Sequence, residues 1–269
     1  MLAIICGNGE YPLDIAAKCQ ELNIDFVLVF LKGFANIEQA WPPRPYVSVG
    51  LGEVRKMLDF CSEHGVESVV FAGGVKRPSF SDISFDSEGR KWLRSIGKKI
   101  FCGDDGLLRA ISDLFEQHGI SVVSGQAILA QECGPDKSIY TIKQPSDIDL
   151  LDIEKGVSVL DSLGDKDVGQ AVIVESGLVL GIECVEGTDA LITRIRSLKK
   201  QTVGGVLVKM SKNGQDTRLD LPTIGINTIK NVHNVGLNGI AIDRKKSIIL
   251  NKKQIIDYAD KHGLFIIER

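Results

Sequence analysis

Through the first half of this chain, short apolar runs alternate with segments of helical spacing. Residues 2–6 (LAIIC), 25–31 (DFVLVFL), 46–49, 67–72 (ESVVFA) and 120–124 (ISVVS) read as strands. Between them, 11–22, 52–64 and about 104–118 read as helices. In 52–64, Val54, Met57, Leu58 and Cys61 fall on one face; in 104–118, Leu107, Leu108, Ile111, Leu114 and Phe115 do the same. Strands this apolar, separated by amphipathic helices, are expected to form a parallel sheet covered on both faces. The expectation for this half is a Rossmann-like domain.

The second half follows a different pattern. A helix is expected at 146–163, then a hairpin in VGQAVIVESGLVLGIECVEG turning at Glu175-Ser176-Gly177. Next come a helix from about 188 to 200, a strand at 205–211, and a helix at 223–236 opened by Pro222. Strands at 239–243 and 247–250, a helix at 252–262 and a strand at 264–268 finish the chain. This reads as an α+β domain. Residues 125–145, with Gly134, Pro135 and Pro145, lack a strong period and are taken as the connection. The expected domains are 1–131 and 132–269, a division that suits a chain of 269 residues.

Charge and residue counts exclude several function classes. A net charge of −3 argues against a general nucleic-acid binder. The six cysteines contain no Cys-x-x-Cys pair, as expected of reduced thiols in a cytosolic protein. No run approaches the roughly 20 apolar residues of a membrane span, and residues 2–6 are too short for a signal peptide core. A cytoplasmic protein is expected, one that visits the membrane surface if its substrate is a lipid. Of the four histidines, His64, His118 and His262 each precede a glycine at an expected helix end, where capping explains them. His233 reads as a helix-surface residue. Without a histidine cluster, any metal would be held by oxygen ligands and would be magnesium or a similarly hard ion.

Several segments could carry chemistry. Gly7-Asn8-Gly9-Glu10-Tyr11-Pro12 joins the first strand to the first helix, where backbone N–H groups favour phosphate. Pro12 stands where a dinucleotide fingerprint needs its third glycine, which weakens a nicotinamide-enzyme reading. Ala72-Gly73-Gly74-Val75-Lys76-Arg77-Pro78 follows a buried strand; its glycines would let a ligand approach and Arg77 or Lys76 could pair with phosphate, a glycine turn with solvated charges being the alternative. Asp104 and Asp105 open a helix; capping accounts for one of them. Asp167-Val168-Gly169-Gln170 and Glu186-Gly187-Thr188-Asp189 flank the hairpin, and Glu186 with Asp189 could hold a hard cation. The densest polar stretch runs from Lys209 through Gln215, Asp216, Arg218 and Asp220 to Thr223. Cations that neutralise phosphate beside carboxylates that hold a metal or orient water suit phosphoryl chemistry. A helix cap ahead of Pro222 is the simpler account of Asp220. Arg244, Lys245, Lys246, Lys252 and Lys253 surround SIIL as a solvated hairpin turn or a patch facing anionic lipid. A nucleotide-binding regulatory module without catalysis is the competing class.

Taken together, GNGEYP, FAGGVKRPSF, GDDGLLRAI, VGQAVIVESGLVLGIECVEGTDAL and QDTRLDLPTIG resemble, in order and over nearly the whole chain, the LpxI-type UDP-2,3-diacylglucosamine pyrophosphatases of lipid A biosynthesis. The resemblance implies two domains with a chamber between them. It also implies magnesium-dependent hydrolysis of the UDP pyrophosphate, water attacking the α-phosphorus, to give UMP and 2,3-diacylglucosamine 1-phosphate. The family's critical aspartate falls on Asp220, and other motif positions fall on Asp189, Gln170, Asp104, Asp105 and Arg218. The expected catalytic group is therefore Asp220, Asp189 and Arg218, with Asp220 and Asp189 on magnesium. Substrate binding is expected of Gly7, Gly9, Gly73, Gly74, Arg77, Asp104, Asp105, Gln170, Thr188, Lys209, Gln215 and Thr223. The expected partners are the lipid-linked nucleotide sugar and the cytoplasmic face of the inner membrane, with room for a homo-oligomer.

Overall fold

The structure is a computed structural model that describes residues 1–76, 83–97, 103–129, 138–164, 166, 168–212, 221–244 and 246–269, the side chains of 103–105 excepted. Two compact units divide the chain, with the division between Glu132 and Cys133.

The first unit is built on β1 (Leu2–Cys6), β2 (Phe26–Leu31), β3 (Tyr46–Val49), β4 (Ser68–Ala72) and β5 (Ser121–Val122), all parallel, in the order β3-β2-β1-β4-β5. Side chains alternate across a strand, so an apolar run with no polar partner face needs a layer on each side. That is what β1 finds. Ala3 and Ile5 pack with Met57 and Cys61 of α2 (Val54–Glu63), Trp92 of α3 (Ser87–Ile96) and Leu114 and Phe115 of α4 (Gly103–Gln117). Leu2, Ile4 and Cys6 face the other way, onto Ile15, Ala16 and Cys19 of α1 (Tyr11–Glu21) and Ile128 of α5 (Gly125–Leu129).

The second unit has β6 (Ala171–Glu175), β7 (Leu178–Ile182), β8 (Val206–Lys209), β10 (Gly239–Ile242) and β12 (Phe265–Glu268), in the order β12-β10-β8-β6-β7. Strands β8, β10 and β12 are parallel; β6 runs against β8, and β7 against β6. One face packs on α7 (Thr188–Arg194), α8 (Ile226–Asn234) and α9 (Lys252–Lys261), the other on α6 (Asp147–Gly164). Gly156 lets α6 lie close to the sheet, since a β-carbon there would stand 2.6 Å from Val208.

Three expectations change. Residues 125–129 form α5 and Ile128 joins the first core, so part of the stretch read as a connection is an element. The helix expected at 223–236 begins at Ile226 after Gly225; Thr223–Ile224 is instead β9, paired in parallel with β11 (Ile248–Ile249). A β-branched pair bonding to a second strand outweighs the helix-opening signal of Pro222. For the same reason 239–250 is not a hairpin: β10 lies in the large sheet and β11 in its own ladder with β9. Among the described residues no helix is long and apolar enough to cross a membrane.

Candidate functional site

In the first unit the chain leaves β1 toward β2 and β3 on one side and β4 and β5 on the other. The switch in direction falls between β1 and β4, at whose carboxyl ends ligands of such sheets bind. Both glycine turns sit there. Gly7 N donates to Ala72 O (2.8 Å), Asn8 N to Gly74 O (2.8 Å), and Gly74 N to Asn8 O (3.0 Å). A β-carbon on Gly7 would stand 2.8 Å from Gly74 O, and one on Gly73, at φ +88°, 2.5 Å from Asn8 O. These two glycines let the turns close on each other. Gly9 and Gly74, by contrast, have open space where a side chain would be. Arg77 lies outside the described residues. Asp104 and Asp105 belong to the first turn of α4, but their side chains are not described.

Strand direction assembles a second cluster. Because β6 is antiparallel to β8, its start meets the end of β8: Ala171 pairs with Lys209. The reversal into β7 brings Ile182 opposite Val172. Gln170, Glu183 and Lys209 thus share one edge of the second sheet, although 39 positions separate the outer two (209 − 170). Lys209 Nζ donates to Thr188 Oγ1 (2.9 Å) and to Thr223 O (3.0 Å). Thr188 Oγ1 donates to Glu183 Oε1 (2.6 Å), and the backbone N of Gln170 donates to Glu183 Oε2 (3.1 Å). Glu183 is 7% exposed and Lys209 6%. Charges buried this deeply are tolerated only when paired and hydrogen-bonded. Gln170 Oε1 is also buried and has no hydrogen-bond partner among the described residues, so a donor arriving with a ligand would satisfy it.

Four expected substrate-binding residues, Gln170, Thr188, Lys209 and Thr223, therefore meet. Glu183, which joins two of them, carried no sequence signal: it is one carboxylate within IECVEG. The clue lay in hairpin geometry, since a residue just past a returning strand faces the residue just before the outgoing one.

Asp189, next to Thr188, bonds to α8 rather than to this cluster. It is exposed, and its Oδ1 accepts from Thr228 Oγ1 (3.3 Å) and Asn231 Nδ2 (3.2 Å) on α8. Glu186, read as its partner on a cation, instead pairs with Arg194 at 2.7 Å. The N–H of its own residue, then Arg194, hold the Glu186 carboxyl below its usual range. Among the described residues no three His, Cys, Asp or Glu side chains group to hold a metal. As an oxygen donor Asp189 fits a hard cation. Asp220, Arg218, Gln215, Asp216 and Asp167 lie outside the described residues. The helix start that was the alternative account of Asp220 falls instead at Ile226, with Gly225 as its N-cap.

The histidines follow the capping expectation. His64 and His262 are the C-caps of α2 and α9, and His118 follows α4, each before a glycine with positive φ.

A glycine-lined switch point in one unit and a buried cation-carboxylate cluster in the other define an α/β enzyme architecture suited to a phosphorylated ligand. The chain belongs to the LpxI family: residues 1–132 match the model of the LpxI N-terminal domain and residues 136–267 that of the LpxI C-terminal domain. It is 34% identical over 272 aligned positions to the UDP-2,3-diacylglucosamine pyrophosphatase LpxI of Caulobacter vibrioides, covering 99% of this chain and 96% of that one.

Proposed function

We propose that this chain hydrolyses the pyrophosphate of UDP-2,3-diacylglucosamine in lipid A biosynthesis, releasing UMP and 2,3-diacylglucosamine 1-phosphate by attack of water on the α-phosphorus. Family membership supports the substrate class. The observation that carries the reading is Lys209, an ammonium fixed at the sheet edge beside Thr188 and Thr223. A pyrophosphate needs its charge neutralised, and a pre-oriented cation does this without reorganising during the reaction.

In this reading Lys209 and Arg218 meet phosphate oxygens, Gln170 Oε1 takes a hydrogen bond from a substrate N–H or O–H, and Asp220 orients the attacking water and draws off its proton. Asp189 and Asp220 would hold magnesium, which when bound supplies positive charge against the pyrophosphate. The turns at Gly7, Gly9, Gly73 and Gly74, with Arg77, Asp104 and Asp105, receive the nucleotide; Gln215 adds a polar contact. The protein works in the cytoplasm as a peripheral protein on the inner-membrane surface, where its lipid substrate lies.

The test is incubation with purified UDP-2,3-diacylglucosamine in oxygen-labelled water, with magnesium or with EDTA. Magnesium-dependent release of UMP carrying the label is the expected result. Label in the lipid phosphate overturns attack at the α-phosphorus, and release unaffected by EDTA overturns the metal requirement.

A further inference from the structure

We infer that Glu183 is a positioning residue for the hydrolytic reaction, acting through Thr188 to fix the Lys209 ammonium and through the backbone of Gln170 to fix that side chain. The inference rests on the pyrophosphatase reading above and adds to it a residue outside the family-derived site.

Proton count sets the direction of these bonds. An ammonium can only donate, and Lys209 donates to Thr188 Oγ1. A hydroxyl has one proton, so the Thr188 proton must point away from Lys209, toward an acceptor. Glu183 Oε1, at 2.6 Å, is that acceptor. The direction of the relay is therefore fixed: Lys209 to Thr188 to Glu183. The second carboxylate oxygen accepts the Gln170 N–H. One side chain thus uses both its oxygens on two different donors, each belonging to a different substrate-facing residue.

The surrounding backbone holds Glu183 in place. Its N–H donates to Ala171 O (2.8 Å), extending the hairpin ladder by one bond. On the other side, Gly169 lies so close that a β-carbon there would stand 2.0 Å from Glu183 O. A carboxylate that is 7% exposed, with a fixed backbone and two opposed donors, has little freedom to turn. A charged group held in a water-poor setting by a satisfied network is the arrangement that positions a cation for a developing charge.

Glutamine cannot replace Glu183. Its amide offers one acceptor oxygen and one donor group. With the oxygen toward Thr188, the NH2 meets the Gln170 N–H, donor against donor. With the oxygen toward Gln170, the NH2 and the Lys209 ammonium both donate to the Thr188 hydroxyl, whose own proton then has no acceptor. T188V breaks the same relay at its middle while keeping the shape of the side chain.

The experiment measures kcat and KM for UMP release by wild type, E183Q, T188V and E183Q/T188V, with a thermal melt of each. E183Q and T188V should each lower kcat by about tenfold to a hundredfold, the usual range for a partner that orients a charged group, with KM changed less than about threefold. Because both break one relay, the double variant should be no slower than the slower single one. Losses that multiply, or T188V with the wild-type kcat, overturn the inference while leaving the pyrophosphatase reading intact. A folded wild type that releases no UMP overturns both. If E183Q does not melt as a folded protein, E183D takes its place. Its carboxylate, shorter by one methylene, reaches only one of the two donors, and the same cycle applies.

Discussion

At Gly169 there is no room for a methyl group, because the carbonyl oxygen of Glu183 occupies the space. Gly169→Ala should push the start of β6 away from the end of β7 and carry Gln170 with it. Destabilisation of about 1–3 kcal/mol in urea titration and a fall in kcat/KM together are the expected outcome. Asp220→Ala is expected to lose turnover while still binding substrate, which UMP release and equilibrium binding read separately. The four described thiols divide by burial. Desolvation pushes Cys6 up to about 12, against a weaker opposing backbone hydrogen bond, and Cys19 and Cys61 up to about 11, whereas Cys184 is exposed. A thiol reagent needs the thiolate and access to it. At pH 8, peptide mapping should find Cys184 modified while those three wait for unfolding.

At the scale of elements, the hairpin β6–β7 turns at Ser176 (φ +50°) and Gly177 (φ +77°), and both turn N–H groups donate to the buried carboxylate of Asp152 on α6, at 2.8 and 2.6 Å. Asp152→Ala strands two donors. It should cost about 1–3 kcal/mol in urea denaturation and leave kcat unchanged, since the turn is at the opposite end of the hairpin from Gln170 and Glu183. This hairpin was legible in the sequence because Glu175-Ser176-Gly177 interrupts two β-rich runs. Helix α3 was not. Its segment SEGRKWLRSI offers the core only Trp92 and the partly buried Ile96, too few apolar positions to show a period; the signal present was Asp86, whose side chain accepts the Gly89 N–H. Strand β9 was illegible for another reason: its partner β11 lies 25 positions away (248 − 223), and no local pattern reports a long-range pairing. The same limit hid Glu183, while Gln170, Thr188, Lys209 and Thr223 stood out because each lies in a recognisable motif.

For the whole molecule, each unit carries its own sheet with cores on both faces; that the first sheet is parallel was readable from the alternation of elements, whereas its strand order was not. A whole-molecule property not readable from sequence is the pH dependence arising at Asp14. One oxygen of this carboxylate is buried and has no hydrogen-bond partner among the described residues; burial first, and Glu10 second, push the group up to about 6. The folded state therefore holds the Asp14 proton more tightly than the unfolded chain, whose value is near 3.8. Any cost of the charge is absent below that value, grows as pH rises through about 6, and is complete above it. Asp14→Asn should raise the melting temperature at pH 7.5, by a stabilisation of about 1 kcal/mol once solvent screening of this half-exposed group is allowed for. At pH 3.5 the two proteins should melt alike.

The hairpin has one more consequence, for how such chains can diverge. Gln170 and Glu183 stand at its two feet, and the bond between them depends on the register that sets Val172 opposite Ile182 and Glu183 beside Ala171. The register already shifts once, between Ile173 and Val174; a further residue inserted between that point and either foot turns every following side chain to the opposite face, so it would swing Glu183 away from Thr188. The interval between these two residues therefore acts as a calibrated length. In a set of functional relatives, gaps should gather at the Ser176-Gly177 tip, where an added residue lengthens the loop and leaves both feet in place, and should be missing from the strands.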